Sequence, residues 1–315
     1  MDLGLSRVAV RLPGTAEPVG AVLERTGHGP AERKVFTRVY GLRDTLTLAP
    51  GERWEDLLVA AGRAALDGGD AGLVLYGHTM LTQEFQLDGG FAARLRRRLG
   101  LPAAELYGIS HVNCVSVLRA LELARRYLAR PGATPGDRVL VLGGDHASVH
   151  EPSRVIPGMA VGGDGAVGLV AQAGVGRYRY LAGATARDVR FHRNLQLSRA
   201  DSRLFGQVCQ QGAVDVVARA ARAAGLAFGE IDWVMPHLSN RMFWRSFASQ
   251  TGIPADRIFL DLIPERGHNF GGDALMALDH ADHAGRLRPG HRCALVSLAL
   301  GAYFQATVVE VQEER

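Results

Sequence analysis

The chain has 315 residues, of which 47% are hydrophobic and 22% are charged, and its formal net charge is +4. This composition is that of a globular protein long enough for two domains, and it excludes a disordered chain. The cysteines at 114, 209 and 293 are too few and too scattered for a disulfide framework, and the N-terminal residues lack the apolar core of a signal peptide. No apolar run reaches the about 18 residues that span a bilayer, so we expect a cytoplasmic protein that does not enter the membrane.

Basic charge is carried almost wholly by arginine, because Lys34 is the only lysine. The densest cluster, RLRRR at 94–98, ends a predicted helix and contains no aromatic residues. This pattern is typical of a solvated helix end and not of a nucleic-acid site. The modest basic balance instead suits an acidic carrier protein or a phosphate-bearing ligand.

The first half of the chain alternates between predicted strands and helices. Residues 13–34 are rich in Gly, Pro and charge, which predicts a surface excursion. Short, continuously apolar runs predict strands that are buried on both faces. The predicted strands are 3–12, 73–76, 138–144 and 166–170, and the predicted helices are 54–66, 91–99 and one that begins at residue 114.

The second half repeats this order. Its predicted strands are 178–182, 233–235, 258–260, 293–298 and 303–311, and its predicted helices are 207–224, 241–251 and 273–284. Strands separated by helices predict an α/β fold with parallel sheets covered on both faces. The matching order predicts two similar halves, 1–172 and 173–315, packed on a central pair of helices. One of these helices begins at Cys114 and the other at Asp273.

Cys114 is the first candidate for a catalytic residue. It stands at the start of a helix whose apolar stripe is clear, and the positive end of a helix dipole favours thiolate over thiol. A free cysteine is also among the most buried residue types, so packing alone would explain it. The rest of the chain has to decide between these interpretations.

Two histidines in the second half each follow a predicted strand. His237 comes directly after the strand 233–235 and Pro236, and His268 lies in a Gly-rich turn that opens the helix at Asp273. Loops at the carboxyl ends of strands are where ligands and chemistry collect in α/β sheets. A cysteine nucleophile needs a base and a charge-stabilising partner from distant parts of the chain, and these histidines are the candidates.

Four stretches in this order resemble ketoacyl synthase III-like members of the thiolase superfamily. Cys114 lies at the family's nucleophile position, and VGGDGA at 161–166 is similar to the turn that closes the first half. DWVMPHLSN at 232–240 resembles the strand that ends in the family's catalytic His and in an Asn beside the pantetheine arm. SLALGA at 297–302 resembles the C-terminal Gly-rich loop.

Two stretches depart from the ketoacyl synthase III pattern. GHNFGG at 267–272 has His where these enzymes carry Asn, and it is more similar to the loop of thiolases and elongating synthases. By this similarity His268 is the predicted third catalytic residue, and Asn269 and Asp273 are lesser candidates. The first loop, 35–41, lacks the Trp that often stacks on the adenine of CoA, which favours carrier protein as the acyl donor.

The resemblance implies a layered α-β-α-β-α architecture of two duplicated halves and a cytoplasmic homodimer. It also implies that Cys114 attacks an acyl thioester, that the backbone N–H groups of Cys114 and Gly301 hold the oxyanion, and that His237 and His268 act on the second substrate. Asn240 and Asn269 are the predicted substrate-binding residues. No cofactor, metal, nucleic acid or membrane is expected, since the substrates arrive as thioesters of acyl carrier protein or CoA.

The sequence favours decarboxylative condensation with a malonyl-type thioester in a specialised biosynthetic pathway. The reason is His268, because two neutral imidazoles would both donate to the malonyl thioester carbonyl. O- or N-acylation at the same site, a non-catalytic partner subunit and an unrelated Cys hydrolase remain alternatives. The acyl pocket is less defined. Its candidate residues, Met80, Leu81, Phe85 and Phe205, either line the pocket or pack, and the first three also suit a partner's surface.

Overall fold

The computed structural model describes residues 2–80, 90–192 and 197–313. The strands are β1 (Leu3–Leu5), β2 (Ala9–Arg11), β3 (Thr15–Pro18), β4 (Asp44–Thr47), β5 (Leu73–Gly77), β6 (Glu105–Ile109), β7 (Arg138–Asp145), β8 (Val155–Ile156), β9 (Ala160–Val161), β10 (Gly165–Ala173), β11 (Tyr178–Arg187), β12 (Trp233–Met235), β13 (Arg292–Ala299) and β14 (Tyr303–Val311).

The α-helices are α1 (Val19–Arg25), α2 (Pro30–Lys34), α3 (Trp54–Leu66), α4 (Gly90–Leu99), α5 (Ser116–Leu128), α6 (Glu151–Arg154), α7 (Arg199–Ala223), α8 (Arg241–Thr251), α9 (Ile263–Arg266) and α10 (Asp273–His283). Asn113–Val115 and Phe270–Gly272 form short 3₁₀ turns directly before α5 and α10.

One ten-stranded sheet runs through the whole molecule in the order β12-β13-β14-β11-β1-β10-β7-β5-β6, with β2 also paired to β10. The part formed before residue 174 and the part formed after it share a pattern. In each, a parallel pair (β5–β7 and β12–β13) is followed by an antiparallel neighbour (β10 and β14). The predicted boundary at 172/173 falls at the end of β10, and it stays a prediction.

The sheets are mixed, so the expectation of parallel sheets is wrong. β10 pairs with β7 antiparallel, and β14 pairs with β13 antiparallel. A tight turn at 300–302 joins β13 to β14, and such a short connection allows only antiparallel pairing.

The helices form three layers around the two parts of the sheet. The helices α3 and α4 pack together, with α3 against β10 and β7, while α7 packs against β11, β14 and α8 on the other side. Between them, α5 touches β5 and β7 but also β14, and α10 touches β12 and β13 but also β2. Because both helices contact strands of both parts, they form the central layer. The α-β-α-β-α fold predicted from the sequence is confirmed.

Several elements differ from the prediction, among them β6, which was not predicted, and α7, which begins at Arg199 instead of residue 207. The first strand is split into β1 and β2, because the chain leaves the sheet at residues 6–8. The excursion at 13–34 is not purely a surface feature, since α1 buries Val19, Val22 and Leu23. The segment 258–260 forms only an isolated parallel bridge, Val234 to Ile258.

The arginine cluster at 94–98 lies at the end of α4, as the sequence predicts. Arg94 and Arg98 pair with Glu55 of α3, and Arg98 also pairs with Asp56. These ion pairs attach α4 to α3 on the outer layer. None of the helices in the described ranges is long and apolar enough to cross a membrane.

Candidate active site

The nucleophile candidate sits on a constrained turn between β6 and the central helix α5. Asn113, directly before Cys114, has φ of 51°, in the left-handed region that Asn tolerates better than most residues. The next turn begins α5, so the Cys114 side chain lies at the N-terminal end of a 13-residue helix. Cys114 is buried, at 4% exposure, so the thiol is shielded from bulk water.

His268 lies between the Cys114 sulfur and a buried carboxylate. Its Nε2 is 3.5 Å from Cys114 Sγ, and its Nδ1 is 2.5 Å from Asp273 Oδ2. Asp273 also accepts hydrogen bonds of 2.6 Å from the backbone amides of Leu238 and Asn269. The carboxylate is thereby fixed at the start of α10, and it fixes the ring of His268 in turn. Thiol, imidazole and carboxylate form the linear arrangement of a nucleophile, a base and an orienting group.

The groups around His268, Asp273 above all, determine the pKa of its imidazole. Burial opposes the imidazolium, but the adjacent carboxylate of Asp273 and the contact with Cys114 together raise the pKa of His268 to about 10. A charged imidazole therefore faces the sulfur at neutral pH. The raised pKa argues against the expectation that His268 is a neutral donor, and both of its ring nitrogens are already engaged, one by the carboxylate and one by the thiol.

His237 has the opposite environment, although it lies next to His268 with the ring centroids 5.8 Å apart. It is 1% exposed, and neither of its ring nitrogens has a hydrogen-bond partner among the described residues. Burial, together with the positive charge of His268, moves the pKa of His237 well below its usual value. His237 is therefore a neutral imidazole with free hydrogen-bonding capacity.

The turn that carries Gly301 is tied to the nucleophile. Asn113 donates from Nδ2 to the carbonyl of Leu300 at 2.9 Å, and Ser297 Oγ donates to the carbonyl of Cys114 at 2.6 Å. Gly301 has φ of 84°, a conformation that glycine adopts without strain. These contacts place the Gly301 turn beside Cys114, as an oxyanion hole requires, while the role of its N–H stays a prediction.

The side chains of the two predicted substrate-binding asparagines form hydrogen bonds with main-chain groups around them. Asn240 caps α8 by accepting from the amide of Phe243 at 2.9 Å, and it donates to the carbonyl of Met159 at 3.1 Å. Asn269 donates to main-chain carbonyls of its own loop, so it does not replace His268 beside the sulfur. Substrate binding by either residue stays a prediction.

A small cavity of about 20 Å³ lies over the catalytic groups. A groove of about 620 Å³ lies next to it, and Met159, Phe205, Cys209 and Leu300 line both spaces. Phe205 is therefore a wall residue of the site, and the sequence left this open. The other candidates are Met80, which packs against the core, and Leu81 and Phe85, which lie outside the described residues.

Two features of the site were not found from the sequence. Asp273 was considered only as a substitute for His268, whereas it is the partner of His268. The turn between them, in which Phe270 has φ of 50°, brings the two side chains together, and the sequence carries no signal for that pairing. The second feature is Ser239, which lines the small cavity. The motif at 161–166 has a structural role, because Asp164 accepts from the amides of Leu48 and Ser148.

Residues 221–311 match the family of 3-oxoacyl-[acyl-carrier-protein (ACP)] synthase III C-terminal domains. Over 287 residues the chain is 26% identical to the beta-ketoacyl-[acyl-carrier-protein] synthase III of Rhizorhabdus wittichii, covering 85% of this chain and 88% of that protein. Together these matches support a ketoacyl synthase III-like enzyme of the thiolase superfamily. The predicted enzyme class, acyltransferase, is confirmed with it.

Solved structures share the fold. The acyltransferase ChlB3 superposes with a TM-score of 0.83 at 21% identity, covering 99% of this chain and 98% of that one. The 3-oxoacyl-(acyl carrier protein) synthase III of Pseudomonas aeruginosa PAO1 superposes with a TM-score of 0.81 at 22% identity, covering 100% of both. At these identities the superpositions establish the fold and leave the reaction of this ketoacyl synthase III-like chain to its own residues.

Proposed function

We propose that the enzyme moves an acyl group from a phosphopantetheine thioester onto Cys114 and then onto a hydroxyl or amine acceptor. The observation that carries this proposal is the contact chain from Cys114 Sγ through His268 to Asp273. A nucleophile, a base and an orienting carboxylate are the parts that acyl transfer needs, and they need no further group to complete them.

In the first half-reaction the Cys114 thiolate attacks the carbonyl carbon of the thioester. The bond from that carbon to the pantetheine sulfur breaks, and the leaving thiolate takes the proton from Nε2 of His268. Asp273 keeps the ring oriented while it changes charge. The N–H groups of Cys114 and Gly301 are proposed to hold the oxyanion, and one such donor is typically worth about 3 kcal/mol.

In the second half-reaction the acceptor attacks the acyl carbon and gives its proton to the now neutral His268. The carbon–sulfur bond to Cys114 breaks, and the thiolate returns beside an imidazolium. His237 stays neutral and offers hydrogen bonds to the acceptor. One histidine therefore serves as acid in the first step and as base in the second.

The 620 Å³ groove is the proposed path of the pantetheine arm, with Asn240 and Met242 along it. Arg241 begins α8 next to Tyr40, another residue of the groove, because its amide donates to the Tyr40 carbonyl at 3.0 Å. Within the described ranges Arg241 has no carboxylate partner, so its charge is available to an acidic protein surface. This supports acyl carrier protein as the donor, with CoA as the alternative.

Decarboxylative condensation in a specialised pathway is the second candidate. Neutral His237 supports it, because a buried imidazole with free nitrogens can donate to a malonyl thioester carbonyl. With its raised pKa, His268 fits the role of a second neutral donor less well than the sequence interpretation assumed. Carbon dioxide release from labelled malonyl carrier protein, supplied to acyl-loaded enzyme, would favour condensation over transfer to a hydroxyl or amine.

A homodimer is also proposed. β6 is the last strand of the sheet, and Tyr107 in it is 56% exposed. An exposed sheet edge is a template for pairing with another strand, and a second copy would pair with it antiparallel about a two-fold axis. A monomeric mass by light scattering at micromolar concentration would contradict this assembly.

Intact-protein mass spectrometry tests the acyl-enzyme directly. Wild-type enzyme incubated with the acetyl thioester of N-acetylcysteamine should gain one acetyl group, and Cys114→Ala should gain none. Cys209→Ala is the matched control, because Cys209 lines the same cavity but burial raises the pKa of its thiol to about 12. Full turnover in Cys114→Ala would overturn the mechanism whatever the fold.

A further inference from the structure

Ser239 is a buried hydroxyl inside the active site that the mechanism above does not use. It is 1% exposed, and its Oγ has no hydrogen-bond partner among the described residues. Its side chain lines the 20 Å³ cavity together with Cys114, His237 and His268. Leaving a buried hydroxyl without a partner destabilises the native state, so an unpaired one in a reaction chamber points to a ligand.

Two residues that line the cavity have polar side-chain atoms without a hydrogen-bond partner among the described residues. Both nitrogens of His237 and the oxygen of Ser239 are unpaired, and all three belong to one loop, with the Ser239 amide donating to the His237 carbonyl at 3.0 Å. A space of about 20 Å³ holds roughly one water-sized group. The cavity therefore has the size of a site for a single reacting O–H or N–H group, and His237 and Ser239 are residues with unpaired polar atoms in a lining that is otherwise largely apolar.

We infer that Ser239 and His237 form the binding site for the attacking heteroatom of the acceptor, and that this acceptor is a hydroxyl or an amine. The inference rests on the proposed acyl transfer. A hydroxyl both donates and accepts, so Ser239 Oγ accepts the hydrogen of an incoming O–H or N–H and releases it as that proton moves to His268. The attacking atom forms its bond to the acyl carbon, the bond to Cys114 Sγ breaks, and no oxidant or further reactant is needed.

The experiment compares two ways of discharging the acetyl-enzyme. Acetyl-Cys114 enzyme is prepared from the acetyl thioester of N-acetylcysteamine, freed of donor and mixed with hydroxylamine or with the thiol N-acetylcysteamine. Hydroxylamine is a small acceptor with N–H and O–H groups, whereas the thiol reverses the loading step through the groove. Ser239→Ala should slow discharge by hydroxylamine about fivefold to tenfold, as expected for one lost hydrogen bond, and leave discharge by the thiol unchanged.

Two further variants sharpen the result. Ser239→Thr keeps the hydroxyl and should restore most of the hydroxylamine rate. Ser116→Ala removes another buried hydroxyl without a partner, one that lies in α5 outside the cavity lining, and it should change neither rate. Normal acetyl loading of Ser239→Ala shows that the variant is folded.

The outcomes separate this inference from the proposed function. Equal slowing of both discharges by Ser239→Ala, or an unchanged hydroxylamine rate, would overturn the role of Ser239 while acyl transfer stands. If wild-type enzyme gains no acetyl mass at all, the proposed acyl transfer is wrong and the acceptor site is wrong with it.

Discussion

Two loops of the second half place a histidine in the same chamber, but the two imidazoles carry different charges. The loop after β12 leaves both nitrogens of His237 unpaired, whereas the loop before α10 holds His268 against Asp273. Both rings are almost fully buried, at 1% and 3% exposure. Burial therefore does not distinguish them, and the carboxylate does.

The difference in charge suits the two histidines to different steps of the reaction. A charged imidazole next to a thiol stabilises the thiolate and supplies a proton, whereas a neutral imidazole whose pKa is strongly lowered is a weak base and serves by accepting or donating hydrogen bonds. His268 is thus suited to work on Cys114 in both half-reactions. His237 is suited to the second substrate alone. The sequence assigned both histidines to the second half-reaction, and the 3.5 Å contact of His268 with Cys114 Sγ extends its role to the first.

The largest expected effect comes from removing the carboxylate that makes the loops different. Asp273→Asn takes away the carboxylate that does most to raise the pKa of His268, and it leaves burial, which lowers this pKa, opposed only by the contact with Cys114. Acetyl loading should slow by up to about 10⁴-fold, the size of the loss when the orienting carboxylate of a catalytic triad is replaced by its amide. The single-turnover gain of acetyl mass measures this rate, and an unchanged rate would remove Asp273 from the mechanism.

A smaller and selective effect is expected in the other loop. His237→Ala removes a neutral ring, so loading should stay within about threefold of wild type, while transfer to hydroxylamine should slow by about 10²-fold, as for the loss of one preorganised donor. Trp244 donates to the backbone carbonyl of His237, so the variant retains this support of the loop. If His237→Ala slows loading as much as transfer, the two histidine loops serve the same half-reactions. The proposed difference between their roles would then be wrong.

The smallest effect is the pH dependence of stability, and the two loops should give opposite slopes. For His268 the folded pKa of about 10 exceeds the ordinary 6.5, so its contribution is fully present below pH 6.5 and is lost as pH rises towards 10. For His237 the folded pKa lies below 6.5, so the native state loses stability as pH falls below 6.5. Each slope is at most about 1.4 kcal/mol per pH unit.

Urea unfolding of variants at several pH values separates the two slopes. His237→Leu should remove the contribution of His237 to the acid-side slope, while Asp145, whose pKa burial raises to about 7, keeps its own contribution there. The double variant His268→Asn/Asp273→Asn, which does not leave Asp273 as a carboxylate without its partner, should reduce the alkaline-side slope and leave the acid-side slope unchanged. If either variant abolishes both slopes, the two histidines titrate as one unit.

The fold could be predicted wherever hydrophobic periodicity was strong and the ends of an element carried clear signals. Helix α8 was predicted to the residue, because Asn240 caps its start and Gly252 ends it with φ of 74°. Strand β6 was missed, because an edge strand with exposed positions such as Tyr107 has no continuous apolar run. The segment α1 was missed because the surrounding Gly, Pro and charge hide three buried residues.

The candidate site could be predicted residue by residue but not as a network. Cys114, His237 and His268 each follow a strand or open a helix, and this position is visible in a sequence. The pairing of His268 with Asp273 depends on a turn in which Phe270 has positive φ, and no periodicity specifies which side chains such a turn brings together. Whether Ser239 Oγ has a hydrogen-bond partner depends on the conformation of every neighbouring side chain, so only the structure could reveal it.

The contact between Cys114 and His268 joins residues 154 positions apart in the chain. The bond that fastens Asn113 to Leu300 spans 187 positions. During synthesis the thiol therefore leaves the ribosome long before the groups that face it and support its loop, and contacts of this sequence separation form late in folding. Nascent and partly folded chains should carry an ordinary cysteine, with reactivity appearing only when the last strands have joined the sheet. The order of the chain thus keeps the thiol apart from its catalytic partners until folding is nearly complete.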